Sequence, residues 1–235
     1  MAMGKAWDEL ASTARARASV YELLAAVFRA EPSVAMIREL QSPPISHVLA
    51  DLGFPLGGAF AERPPDILAE ELALEFTRLF IGPGPRISPY ESLHLDMGSA
   101  SENMLYGRQT VAVKRFIEAT GLRYDDAFSG LPDHISAEFE LMGKLAEREG
   151  RSWSSGDEED ASWFRDAQRR FMTEHIHAWV PRFCDKVVRM ARQPFYRQIA
   201  EVTIAFLDFE RAGLADPPSS VIATSPAPRR MASPA

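Results

Sequence analysis

EFTRLFIGPGPRISPYESLH, Glu75 to His94, begins as a helix and then cannot continue as one. Phe76, Leu79 and Phe80 stand at helical spacing, and Leu72 four residues before Phe76 extends the same stripe. Gly82-Pro83-Gly84-Pro85 then stops the helix, because proline has no N–H to give and clashes with the turn before it. Ser88-Pro89 adds a second break, followed by Tyr90, Glu91, Ser92 and His94. Large apolar side chains therefore lie directly against a stiff loop rich in hydrogen-bonding groups. Two readings are open for them. They are core, the usual fate of a helical aromatic stripe, or they line a cleft that the broken helix leaves uncovered and that an apolar peptide could enter.

The rest of the chain is helical in pattern. Upstream, Pro65 and Asp66 open the helix that ends at the quoted loop, proline suiting its first turn and the acids its positive end. Trp7, Leu10, Ala14, Tyr21, Leu24 and Phe28 mark a long helix to Ala30, with Arg17 interrupting its apolar stripe. Residues 33–53 hold short helical pieces, and GFPLGGAFAERPP reads as a loop. Downstream, the pattern predicts helices from Leu105 to Thr120, from Pro132 to Gly150, from about Trp163 to Pro181, through Phe183–Met190, and from Pro194 to Gly213. No segment alternates with the period of a strand. The expected fold is all-α, one domain of about eight helices over residues 1–214. Residues 215–235, rich in Pro, Ser and Ala, read as a disordered tail.

Composition narrows the function. The chain has 235 residues, 46% of them hydrophobic, with a formal net charge of −7. That charge disfavours nucleic acid and anionic membrane as partners and suits a cationic one. Cys184 is the only cysteine, so no internal disulfide or cysteine-cluster metal site can form, and it reads as a small core residue. Charges break any apolar run near the N-terminus, and no stretch has the length of a membrane span. A cytoplasmic protein without stable membrane insertion is expected.

Two Glu-x-x-His spacings, Glu91/His94 and Glu174/His177, raise a helical di-metal carboxylate protein as the alternative function. The first copy sits between Pro89 and Gly98, too short for a bundle helix, and chance matches are common in a chain with 33 acidic residues. No metal or other cofactor is therefore expected. Asp133-His134, after Pro132, reads either as a helix start or as part of the same groove as the mid-chain loop. No nucleophile motif or phosphate-binding glycine loop accompanies them, so no catalytic residues are assigned. A third reading makes the domain an oligomerisation module alone.

LALEFTRLFIGPGPRISPYESLH is followed about forty residues later by GLPDHISAEFELM. With MLYGRQTVAVKRFIEATGL between them and HIHAWVPRF after them, the chain resembles the TorD/DmsD family of cytoplasmic molybdoenzyme chaperones, which includes NarJ-type relatives. The likeness runs through most of residues 15–213. It implies a binding protein rather than an enzyme: one that holds the twin-arginine leader, and in some cases the apo form, of a molybdopterin-containing oxidoreductase until its cofactor is inserted. It places Phe76, Leu79, Phe80, Pro89, Tyr90, Glu91 and Ser92 on a peptide-binding face, with Asp133, His134 and Glu138 added by the second motif. Phe76 stands where some relatives carry Trp. Monomer and helix-swapped dimer are both compatible with the resemblance.

That role is physically coherent. A leader with paired guanidinium groups and an apolar stretch needs carboxylates beside an apolar groove. Glu91, Asp133 and Glu138 are the candidate acceptors, and Phe76, Leu79, Phe80 and Tyr90 the candidate walls. Ordering a disordered leader offsets much of the contact energy, so modest affinity and rapid release are expected.

Overall fold

The computed structural model describes residues 2–43, 45–46, 50, 57–95, 107–122 and 130–215. Its elements are α1 (Ala2–Arg29), α2 (Val34–Gln41), α3 (Gly57–Glu62), α4 (Pro65–Phe76), α5 (Arg108–Ala119), α6 (Ile135–Ser155), α7 (Glu158–Phe171), α8 (His177–Met190) and α9 (Pro194–Ala215). Among the described residues there is no strand, and an isolated bridge pairs Tyr90 with His134. The all-α expectation holds. Ala215, the first residue of the expected tail, is the last of α9; residues 216–235, and the expected helix start at Leu105, lie outside the described residues.

One apolar core runs through the molecule, from Tyr21 and Phe28 in α1 to Leu214 in α9. The α1–α6 pair is its most closely packed part. A Cβ added to Gly150 would lie 3.1 Å from the carbonyl oxygen of Ala11 and 3.4 Å from the Cβ of Ala14. The sequence marked Gly150 as a helix end. It is instead interior, and its missing side chain is what lets α1 approach. The true end of α6 is Gly156, in the left-handed region at φ 76°, where a Cβ would lie 2.8 Å from the Trp7 ring.

Three other boundaries differ from expectation. Residues 57–62, read as loop, form α3. The helix expected to stop at Pro181 runs on: α7 passes through a π turn, Met172–Ile176, into α8, with Pro181 inside it. Proline withholds a donor from the carbonyl of the residue four before it, here His177, and the wide π turn directly upstream has already interrupted the regular hydrogen-bond ladder. Finally, α9 continues through Gly213 to Ala215.

α4 also leaves the regular path in a π turn, Thr77–Ile81, just before the proline-rich loop. Gly82 closes it with a 2.6 Å bond from its N–H to the Thr77 carbonyl, and Ile87 N–H returns to the Leu79 carbonyl at 2.7 Å. The loop is thereby folded back on the end of α4.

Candidate functional site

The two segments singled out by sequence meet. Pro89 O accepts from the amide of Ile135 at 2.9 Å, and Asp133 O accepts from the amide of Glu91 at 2.9 Å, so the loop and the start of α6 pair edge to edge. Asp133 is the hub. Its Oδ2 accepts from the amide of Ser92 at 3.2 Å and its Oδ1 from the Thr110 hydroxyl at 2.9 Å. One carboxylate thus ties α5, the short 3-10 turn Glu91–Leu93 and α6 together. It is fully buried, and its hydrogen bonds satisfy it there.

Glu91, pointing inward from that turn, meets His175 of the second π turn, whose Nδ1 lies 3.0 and 3.2 Å from the two carboxylate oxygens. Glu138, one turn into α6, accepts from the Trp179 indole N–H at 3.0 Å. Among the described residues its Oε1 has no donor, and a hydrogen bond between it and the neighbouring Glu91 carboxyl requires a proton on one of the two. Burial pushes the Glu138 carboxyl well above the ordinary carboxylate range, and the charges of Glu91 and Asp133 add to this.

His134 caps α6, its Nδ1 accepting from the amide of Ser136 at 3.1 Å. Its ring stands edge-on to Tyr90 at 4.9 Å between centroids. Burial pushes its pKa down to about 4; Asp133 opposes this and Arg29 reinforces it. The neutral ring is the form that can cap. Because the folded value lies below the ordinary 6.5, His134 contributes stability that is present above about pH 6.5 and lost as pH falls toward about 4. The full effect is on the order of 3 kcal/mol. His134→Asn keeps a capping oxygen but cannot titrate there. The gap between wild-type and His134→Asn urea midpoints should be constant above pH 6.5 and shift against the wild type below it. Parallel curves down to pH 4 would refute the assignment.

His94 lies on the other side of the loop, against Trp179 and Phe183, with Nε2–H donating to the Ser88 carbonyl at 2.6 Å. Burial lowers its pKa, as do Lys186 and Arg182.

The structure places the ten predicted residues in three sets. Pro89, Tyr90 and His134 are half-buried and reach the surface. Glu91, Ser92, Asp133 and Glu138 lie behind them, sealed from water. Phe76, Leu79 and Phe80 are buried in the apolar core. Phe80 packs on Phe28, Phe76, Phe183 and Tyr196. Of the two readings of that aromatic stripe, the geometry selects core rather than the wall of an open cleft. The reason is the π turn and the returned loop, which cover the end of α4 instead of leaving it bare.

Sequence reasoning missed three members. Glu75, at the head of the quoted stretch, is buried; it takes a two-pronged bond from Arg78 at 2.7 Å and accepts from the Arg192 amide at 2.6 Å, pinning α4 to the α8–α9 turn. Burial pushes its pKa up, but Arg78 and the amides of Arg192 and Gln193 more than offset this and hold it below the ordinary range. His175 and Trp179 carry no spacing signal of their own, since the Glu-x-x-His pattern falls on Glu174 and His177. Glu174 is exposed and pairs with Arg170 at 3.6 Å, while His177 Nε2 contacts the Leu207 carbonyl at 3.3 Å. Neither approaches Glu91, and among the described residues no group of three or more side chains could hold a metal ion. The di-metal alternative has no support in this arrangement.

The two motif segments of this chain thus fold into one acid-lined joint between helices. The chain belongs to the TorD/DmsD family of chaperones: the family described as nitrate reductase delta subunit matches residues 48–185, a span that includes both segments of the joint. It is 30% identical to the chaperone protein TorD of Shewanella oneidensis, over 82% of this chain and 87% of that protein. Identity to the TorD chaperone of Aeromonas salmonicida is also 30%, over 91% of this chain and 99% of that one. The Tat proofreading chaperone DmsD of Salmonella typhi is 31% identical over 58% of this chain and 60% of its own. These are chaperone names rather than enzyme names. Among the described residues no helix is long and apolar enough to cross a membrane.

Proposed function

We propose that this chain is a cytoplasmic maturation chaperone that binds the twin-arginine leader of a molybdopterin-containing oxidoreductase, and its apo form, delaying export until the cofactor is in place. It acts as a monomer or a helix-swapped dimer. The names of its relatives support a client enzyme and, for DmsD, the Tat route. The observation that carries the reading is the joint itself, in which three buried carboxyls, Glu91, Asp133 and Glu138, stand directly behind half-exposed Pro89, Tyr90 and His134.

In this reading Pro89, Tyr90 and His134 meet the leader first. Glu91, Ser92, Asp133 and Glu138 supply hydrogen-bond acceptors for its guanidinium groups once the 87–95 loop lifts. Phe76, Leu79 and Phe80 act from beneath, as the packed floor that fixes where the loop sits. A loop that must lift before binding lowers apparent affinity by the fraction of time it is open, which suits a partner that has to be released.

Titration calorimetry with a synthetic leader tests this. Tyr90→Ala and Asp133→Asn are each expected to weaken binding at least about tenfold while the circular dichroism of the helices is retained. Replacing both leader arginines with Gln should weaken binding as well, more at low salt than at high. Wild-type affinity in both protein variants would remove the joint from the binding site.

A further inference from the structure

Two carboxyls in the joint face each other in a dry place. Glu91 and Glu138 are each almost wholly buried. Glu138 Oε2 is occupied by the Trp179 indole, but Oε1 meets no donor other than what the neighbouring carboxyl can offer. Two ionised carboxylates in that position would repel without relief, whereas one proton between them makes a strong O–H···O bond. The other groups that meet the pair are the His175 imidazole on the second π turn and, through its charge, Asp133 at the head of α6. This pair lies beneath the bonds that seat the loop: Glu91 N–H to Asp133 O, Ser92 N–H to Asp133 Oδ2 and Ile135 N–H to Pro89 O.

We propose that Glu138 carries a proton shared with Glu91, that this proton keeps the 87–95 loop seated on α6, and that a guanidinium of the bound leader takes its place, so that leader binding expels a proton. The exchange balances. Before binding, one carboxylic acid and one carboxylate carry a single negative charge. Afterwards, two carboxylates and one guanidinium carry the same single charge, and the proton passes to the buffer. The cation enters without leaving an uncompensated charge in the interior. A neutral leader residue cannot make this trade, so the pair discriminates for arginine by refusing to ionise without it.

This inference rests on the leader-binding reading, and one experiment separates their failures. Full-length protein is titrated with a synthetic twin-arginine leader at pH 7, in two buffers of equal ionic strength and different heats of protonation. The dependence of observed enthalpy on buffer heat is expected to show about one proton released per peptide for the wild type and none for Glu138→Gln. The amide of that variant can still accept from Trp179 and donate to Glu91. Binding without proton release overturns the exchange and leaves the leader reading standing. No binding of any leader overturns both. Infrared difference spectra of the free protein give the second check: a carboxylic-acid carbonyl band at neutral pH, absent from Glu138→Gln. If wild type and variant are indistinguishable there, no shared proton exists and the proposal falls.

Discussion

Phe80→Ala should lower the free energy of unfolding by about 3–5 kcal/mol, the range for truncating a well-packed aromatic side chain. Phe80 is only 6% exposed, and four rings surround it: Phe76 at 5.0 Å, Phe183 at 5.9 Å, Tyr196 at 6.1 Å and Phe28 at 6.3 Å. Those rings belong to α1, α4, α8 and α9, elements that are themselves anchored elsewhere. Tyr196, for instance, is held by its hydroxyl bond to the Leu72 carbonyl at 3.0 Å. They cannot all collapse into the space an alanine would leave. The loss is then the transfer term plus a cavity term, and in a domain of this size it lowers the melting temperature by roughly 2–4 °C per kcal/mol. Urea titration of the two proteins measures it. A loss below about 1 kcal/mol would mean that Phe80 is solvated in solution and belongs to an open cleft after all. The result also governs how peptide binding is read. Weakened leader binding by Phe80→Ala reports contact only if it is measured where the variant is fully folded, which makes Tyr90 the better probe.

Arg17→Met is expected to cost about 3–5 kcal/mol, by leaving buried carboxylates without their cation. Arg17 is the residue that broke the apolar stripe of α1. Its Nη1 lies 2.8 Å from Glu149 in α6, its Nε 2.7 Å from Glu210 in α9, and its Nη2 donates to Gln168 in α7 at 2.5 Å. Burial alone would lower the pKa of the guanidinium, but Glu210 and Glu149 raise it more, so its charge is secure. Glu149 retains Arg165 and the Trp153 indole in the variant, each at 3.3 Å. Among the described residues Glu210 keeps the neighbourhood of Tyr21, whose hydroxyl burial and that carboxylate already hold above its ordinary value. Most of the cost therefore falls on Glu210. A double-mutant cycle with Glu210→Gln separates the terms: the pair of substitutions should cost clearly less than the sum of the two single ones. Strict additivity would show that the bond at 2.7 Å contributes nothing and that Arg17 acts through packing alone.

These two residues show where the sequence was informative and where it stopped. Helical stripes place Phe76, Leu79 and Phe80 on one face, and Gly82-Pro83 ends that face. Periodicity says which side of a helix is apolar but not what will cover it. The cover here is the loop's own return, through the Ile87–Leu79 bond, and a π turn that no spacing announces. Glu91, Asp133 and Glu138 were legible as acids in two motifs. Their burial was not, because it depends on His175, Trp179 and Thr110 arriving from distant parts of the chain. Gly150 and Pro181 carried the usual marks of helix ends and proved interior, one because α1 needs its missing side chain, the other because a π turn already interrupts the ladder there. Arg17 looked like a flaw in a stripe and is instead the tie among four helices.

The π turn at Met172–Ile176 also limits which insertions and deletions this part of the chain could tolerate. The turn already holds one extra residue, so a further insertion there would rotate everything beyond it by about 100°. Trp179 would swing away from Glu138, and Phe183 would leave the aromatic cluster around Phe80. The span between Phe171 and His177 behaves as a ruler whose length is fixed by what hangs from its far end.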